Sequence, residues 1–144
     1  MLLGMLGFSV TQHGRSQKLS DAPDIIAITP LGNVAVVECT VGLPDQDDQV
    51  AKALQRAETL RRSLLGSGWP GIQVLPVVVT PLSDAEIKGQ KERAEGQGVL
   101  IGSLESLQNA LTRVMIPTNA DQLFNEAIAQ LGTSSVSTNQ SVSR

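Results

Sequence analysis

Two apolar, β-branched runs constrain this chain more than anything else in it. Asp24-Ile25-Ile26-Ala27-Ile28-Thr29 and Val34-Ala35-Val36-Val37-Glu38-Cys39-Thr40-Val41 stand on either side of Pro30-Leu31-Gly32-Asn33. Such runs around a Pro/Gly/Asn cluster predict two strands joined by a turn, an antiparallel hairpin. In a hairpin the numbers of opposed residues sum to a constant. A turn centred near Leu31 sets that constant at 62, which Asp24 and Glu38 satisfy. The two carboxylates are therefore expected to face each other, with Cβ atoms about 4.5–5.5 Å apart. Thr40 follows Glu38 on the same face, because side chains alternate along a strand. All three converge at the end of the hairpin away from the turn. A register slip of one residue would undo this convergence.

The rest of the chain supplies helices and further strands. Met1 to Phe8 is apolar and reads as the end of a helix closed by Gly7, as though the helix were truncated. Phe8 to Thr11 alternates as a short strand, and residues 14–20 form a polar loop. Residues 42–48 are a loop whose aspartates suit the positive end of the helix that follows. That helix repeats Val50, Ala53, Leu54, Ala57, Leu60, Leu64 and Leu65 at helical spacing and stops at Gly66-Ser67-Gly68. Residues 73–80 are a strand, and Pro76 within it favours an edge position or an irregularity. Ser83 or Asp84 caps a polar surface helix. Val99 to Gly102 is a short buried strand. Ser103 opens a helix with Leu104, Leu107, Leu111 and Val114 on one side. Pro117 ends it, and a last helix over 119–131 shows Leu123, Phe124, Ile128 and Leu131 as its apolar face. Residues 132–144 are a Ser/Thr/Asn/Gln tail, too polar to order themselves without a partner. The sum is a mixed sheet flanked by helices in one domain of 1–117, with an added helix at 118–131 and the tail beyond.

Composition narrows the function. The 144 residues suit one domain, and 41% hydrophobic with 17% charged residues is an ordinary globular balance. Phe8, Trp69 and Phe124 are the only aromatic residues, which argues against a base-stacking platform. A net charge of −3 requires any DNA contact to come from a local basic face. A single cysteine excludes an internal disulfide and a Cys-pair zinc site, and fits a cytoplasmic compartment. No stretch approaches the ~20 apolar residues that span a bilayer.

Two like charges opposed across a hairpin repel. Nothing within the strand pair neutralises Asp24 and Glu38, whereas Mg²⁺ or Mn²⁺ suits such oxygen donors. The alternative is that Asp24 caps a turn after Pro23 while Glu38 sits at a solvated strand end. Pro23-Asp24, thirteen intervening residues, then Glu38-Cys39-Thr40 resembles the PD-(D/E)xK nuclease superfamily. Val36-Val37-Glu38-Cys39-Thr40-Val41-Gly42, followed by a helix carrying Lys52 and Arg56, is similar to restriction-endonuclease-like domains of bacterial proteins. The resemblance covers about residues 1–115. It implies an α/β, three-layer restriction-endonuclease-like fold, with a mixed central sheet that contains an antiparallel hairpin.

The resemblance further implies metal-dependent hydrolysis of DNA phosphodiesters, with Asp24 and Glu38 holding Mg²⁺ or Mn²⁺. The family pattern places lysine where this chain has Thr40. Lys52, early in the following helix, is the best substitute, and Gln49 is another candidate to face the site. Lys52 equally suits a solvated helix face shared with Arg56. Arg56, Arg61 and Arg62, with Arg15 and Lys18 before Asp24, are candidates for phosphate contacts or plain surface charge. Cys39 alternates to the opposite face and is expected to pack in the core. His13 has no identifiable partner.

Three readings follow. One is a Mg²⁺-dependent nuclease. Another is a degenerate nuclease-like fold without its lysine, acting as a binding or assembly module. The third is an unrelated α/β domain binding a small ligand, although no glycine-rich phosphate loop is present. The apolar face of the last helix and the polar tail also lead us to expect a homodimer.

Overall fold

The computed structural model describes residues 2–12, 23–116 and 119–142, with side chains to residue 132. Five strands form one sheet in chain order: β1 (Ser9–Gln12), β2 (Ile25–Ile28), β3 (Val34–Cys39), β4 (Val74–Val79) and β5 (Leu100–Gly102). The first three are mutually antiparallel, and β3, β4 and β5 are parallel. The helices are α1 (Leu2–Met5), α2 (Gln49–Gly66), α3 (Asp84–Gly96), α4 (Leu104–Val114) and α5 (Ala120–Val142). The chain is thus an α/β protein with a mixed sheet flanked by helices.

The hairpin has the predicted register, with Ile25 opposite Val37 and Ile26 opposite Val36. Its turn is closed by backbone bonds from Thr29 to Asn33 and from Gly32 to Thr29, both 2.9 Å. Gly32 sits at φ +90°, where a side chain would be strained.

Alternation along β3 and β4 divides the core. Val34, Val36 and Val74 pack on Ala57 of α2. Ala35, Val37, Leu75 and Val77 turn the other way, onto Phe124 and Leu131 of α5. Val50 and Ala53 of α2, with Ile87 and Ala94 of α3, cover Val78 and Ile101. Covered on both faces, the two central strands lack a polar side, which is why they read as continuous apolar runs.

Several expectations are corrected. Pro76 lies in an interior strand, paired beside Val36, not at an edge. The Thr80 N–H, on the same parity as position 76, donates to Gly102 of β5. The donor that Pro76 lacks would therefore point to the β5 side, before the ladder with β5 begins at Val77 and Leu100. No ladder bond is lost, and proline is tolerated. The apolar face of the last helix is not left open, because Phe124 and Leu131 are buried in the core. The helix does not end at residue 131 but runs to Val142, since Gly132 lowers helix propensity without breaking the backbone pattern. Helix α4, which carries Leu104, Leu107, Leu111 and Val114 at the expected spacing, half-buries Leu107 and Val114 and leaves Leu104 and Leu111 exposed. Among the described residues no helix is long and apolar enough to cross a membrane.

Candidate functional site

The hairpin register delivers Asp24 and Glu38 to the same end, where β2 begins and β3 finishes. Asp24 is exposed and accepts the Cys39 backbone N–H through Oδ2 at 2.8 Å. Its carboxylate therefore caps the end of β3. Glu38 is only 2% exposed, so the solvated-strand-end alternative does not describe it. It faces α2, like Val34 and Val36 before it on the strand.

The neutralising charge that the strand pair does not supply to Glu38 comes from α2. The Arg56 guanidinium donates from Nη1 to Glu38 Oε1 at 2.5 Å. Ala53 and Ala57 are fully buried and flank Arg56 on the helix, which holds its Cα against the sheet. Burial is the strongest influence on the Glu38 carboxyl and pushes its pKa up. Arg56 opposes this through its hydrogen bond and its charge, Asp24 adds to the rise, and Lys52 works against it. The net direction is upward: loss of water costs Glu38 more than its partner returns.

Lys52 hydrogen-bonds to neither carboxylate, but its charge is felt at Glu38. It is exposed on the wall of a groove of about 710 Å³ between the hairpin and α2. Pro23, Ile26, Val36 and Leu60 give that groove an apolar base, and Gln55, Arg56, Thr59 and Ser63 continue its polar wall. Residues 52, 55, 56, 59 and 63 share one helix face because they recur at three- and four-residue spacing.

Other candidates fall differently. The Thr40 hydroxyl turns to the loop and accepts the Gly42 N–H at 3.3 Å. Gln49 is half-buried at the first residue of α2 and does not line the groove. Arg61 and Arg62 both pair with Glu58, and Arg61 also donates to the Val74 carbonyl at 3.0 Å. Arg15, Lys18 and His13 lie outside the described residues. Cys39 is on the face opposite Glu38, as expected, but it is exposed instead of being in the core. It is the last residue of β3, and it borders an apolar cavity of about 370 Å³ between the sheet, α1, α4 and α5.

Two carboxylates supply hard oxygen donors, which fit Mg²⁺ or Mn²⁺ in kind. No third Asp, Glu, His or Cys joins them in a cluster among the described residues. Glu38 already meets a cation in Arg56, so a metal there must share or replace that guanidinium.

Sequence reasoning missed the role of Arg56. A helical wheel carries the signal: Val50, Ala53 and Ala57 mark the buried stripe of α2, and position 56 borders it. Asn119 or Asp121 was legible as the start of the last helix, but not that Asp121 is buried there and accepts the Leu31 N–H through Oδ2 at 3.2 Å, tying that helix to the hairpin turn. No protein-family model, no curated protein and no solved structure matches this chain.

Proposed function

We propose that this chain is a metal-dependent nuclease domain acting on DNA, of the restriction-endonuclease-like kind. The observation that carries this reading is the convergence of Asp24 and Glu38 at one end of a hairpin, beside a groove whose wall bears Lys52 and Arg56. The central hairpin, followed by parallel strands with α2 between them, supports the same fold assignment. Asp24 and Glu38 would hold Mg²⁺ or Mn²⁺, which would supply water activation and charge stabilisation at the scissile phosphate. Lys52 orients the attacking water in place of the lysine that Thr40 replaces. The donor-bearing wall from Lys52 to Ser63 rises about 16 Å along α2, close to five nucleotide steps of one strand. A DNA backbone laid along it is positioned without being read for sequence.

A second reading is favoured by the Arg56–Glu38 pair. An ion pair that already satisfies the buried carboxylate, with Thr40 at the lysine position, suits a nuclease-like fold kept as a non-catalytic binding module. Calorimetric titration of Mn²⁺ into the wild type and Glu38→Ala, beside cleavage of duplex DNA by the wild type and Lys52→Ala, separates the two. Metal binding lost in Glu38→Ala, with cleavage lost in Lys52→Ala, supports the nuclease. Absence of both metal binding and cleavage supports the module.

The reading includes a cytoplasmic homodimer. Its support is the exposed Leu104, Leu111, Met115 and Ile116 of α4 and the turn after it, a surface that a second copy would cover. Light scattering at micromolar concentration gives twice the monomer mass, and Leu111→Glu returns it to the monomer value.

A further inference from the structure

We infer that Arg56 holds the carboxylate site shut, yielding Glu38 to a divalent cation when a phosphate-like anion in the groove receives its guanidinium. This regulation rests on the metal reading proposed above.

Three observations lead to it. Glu38 is 2% exposed, so water does little for its ionised form, which needs a cation against it. In the structure that cation is Arg56, at 2.5 Å. Arg56 also belongs to the wall of the 710 Å³ groove, next to Lys52, Gln55 and Thr59. The same side chain therefore reaches both the carboxylate and the space an anion would enter. Its planar guanidinium matches a carboxylate and a phosphate equally well. Ala53 and Ala57 are 0% and 1% exposed, which fixes the helix, so the exchange is a movement of one side chain. An anion that draws Arg56 away opens Glu38 to a cation, and a cation on Glu38 releases that one bond of Arg56 toward an anion. Each ligand must then strengthen the other by the same factor.

The test is Mn²⁺ titration of the folded protein by calorimetry, in sodium chloride and in sodium sulfate at equal ionic strength. Sulfate serves as the phosphate-like probe. The wild type, Arg56→Gln, Glu38→Ala and the double variant are compared. We expect Arg56→Gln to bind Mn²⁺ about tenfold more tightly than the wild type, the ordinary scale of coupling between sites. Sulfate should tighten Mn²⁺ binding to the wild type and leave Arg56→Gln unchanged. Removing Glu38 should abolish binding in both backgrounds. Equal affinity of the wild type and Arg56→Gln, with no sulfate effect and binding still lost without Glu38, overturns the latch and leaves the metal site standing. No binding by any variant, or binding that survives Glu38→Ala, overturns the metal reading and the latch with it. If Arg56→Gln does not fold, the sulfate effect on the wild type decides alone.

Discussion

Glu38 and Arg56 form a pair whose members depend on each other unequally. Glu38 is nearly sealed from solvent, while the Arg56 side chain keeps 19% exposure. Removing one partner of a buried pair leaves an uncompensated charge and costs about 3–5 kcal/mol. Arg56→Met is expected near the lower end of that range, because water reaches part of the site. The double variant Glu38→Gln/Arg56→Met should recover most of the loss, as read from urea midpoints. Asp84 is a surface counterpart. A hydrogen bond from Ser103, and then Lys91, hold its carboxyl below the usual value of 3.8. A depressed carboxylate contributes stability that is present above its unfolded pKa and is lost as pH falls toward the folded value. Wild type and Asp84→Asn should therefore differ most above pH 3.8 and converge on acidification below it. A constant difference across that interval would count against the assignment.

At the scale of elements, α3 shows how local chemistry sets a boundary. Ser83 accepts the Glu86 N–H, and the Glu86 carboxylate accepts the Ser83 N–H at 2.8 Å, a reciprocal capping box. Ser83→Ala is expected to cost about 1 kcal/mol, visible as a lower urea midpoint with an unchanged slope. The start of α2 is built differently. Asp47 and Asp48 both sit at positive φ (56° and 57°), and Asp48 makes no side-chain cap. The aspartates expected to favour the helix entrance are near it but do not hydrogen-bond to it. The position of α2 comes from Val50, Ala53 and Ala57 against the sheet. That docking is what brings Arg56 to Glu38 and sets Lys52 on the groove.

For the molecule as a whole, the net charge of −3 and the basic wall of α2 pull in opposite directions. If duplex DNA lies along α2 as proposed, its affinity must depend on a few cations. The slope of log affinity against log salt changes by about 0.9 for each phosphate neutralised. Lys52→Ala should flatten that slope by about one such step, measured by fluorescence anisotropy from low to moderate salt. Arg62→Ala, whose side chain pairs with Glu58 away from the groove, should leave the slope unchanged. Equal effects of the two substitutions would place the DNA elsewhere.

The hairpin and its register were legible from residues 24–41 because a β-branched run, a four-residue turn and a period of two allow little freedom. The arrival of Asp24 and Glu38 at the same end of the hairpin followed from those local rules alone. The spans of α2 and α4 were legible for the same reason, since a period near 3.6 is a local property of the backbone, whereas the end of α5 was not. Tertiary structure decided what local rules leave open. It placed Pro76 inside the sheet, because only the pairing partners reveal that β5 starts too late to need its N–H. It buried Phe124 and Leu131 of α5 and left Leu104 and Leu111 of α4 exposed. Above all it set Arg56 against Glu38. Eighteen residues of sequence separate them, and no periodicity within α2 states which charge across the interface its Arg56 will meet. That contact depends on how α2 docks, and docking follows from burying Val50, Ala53 and Ala57 together with the sheet.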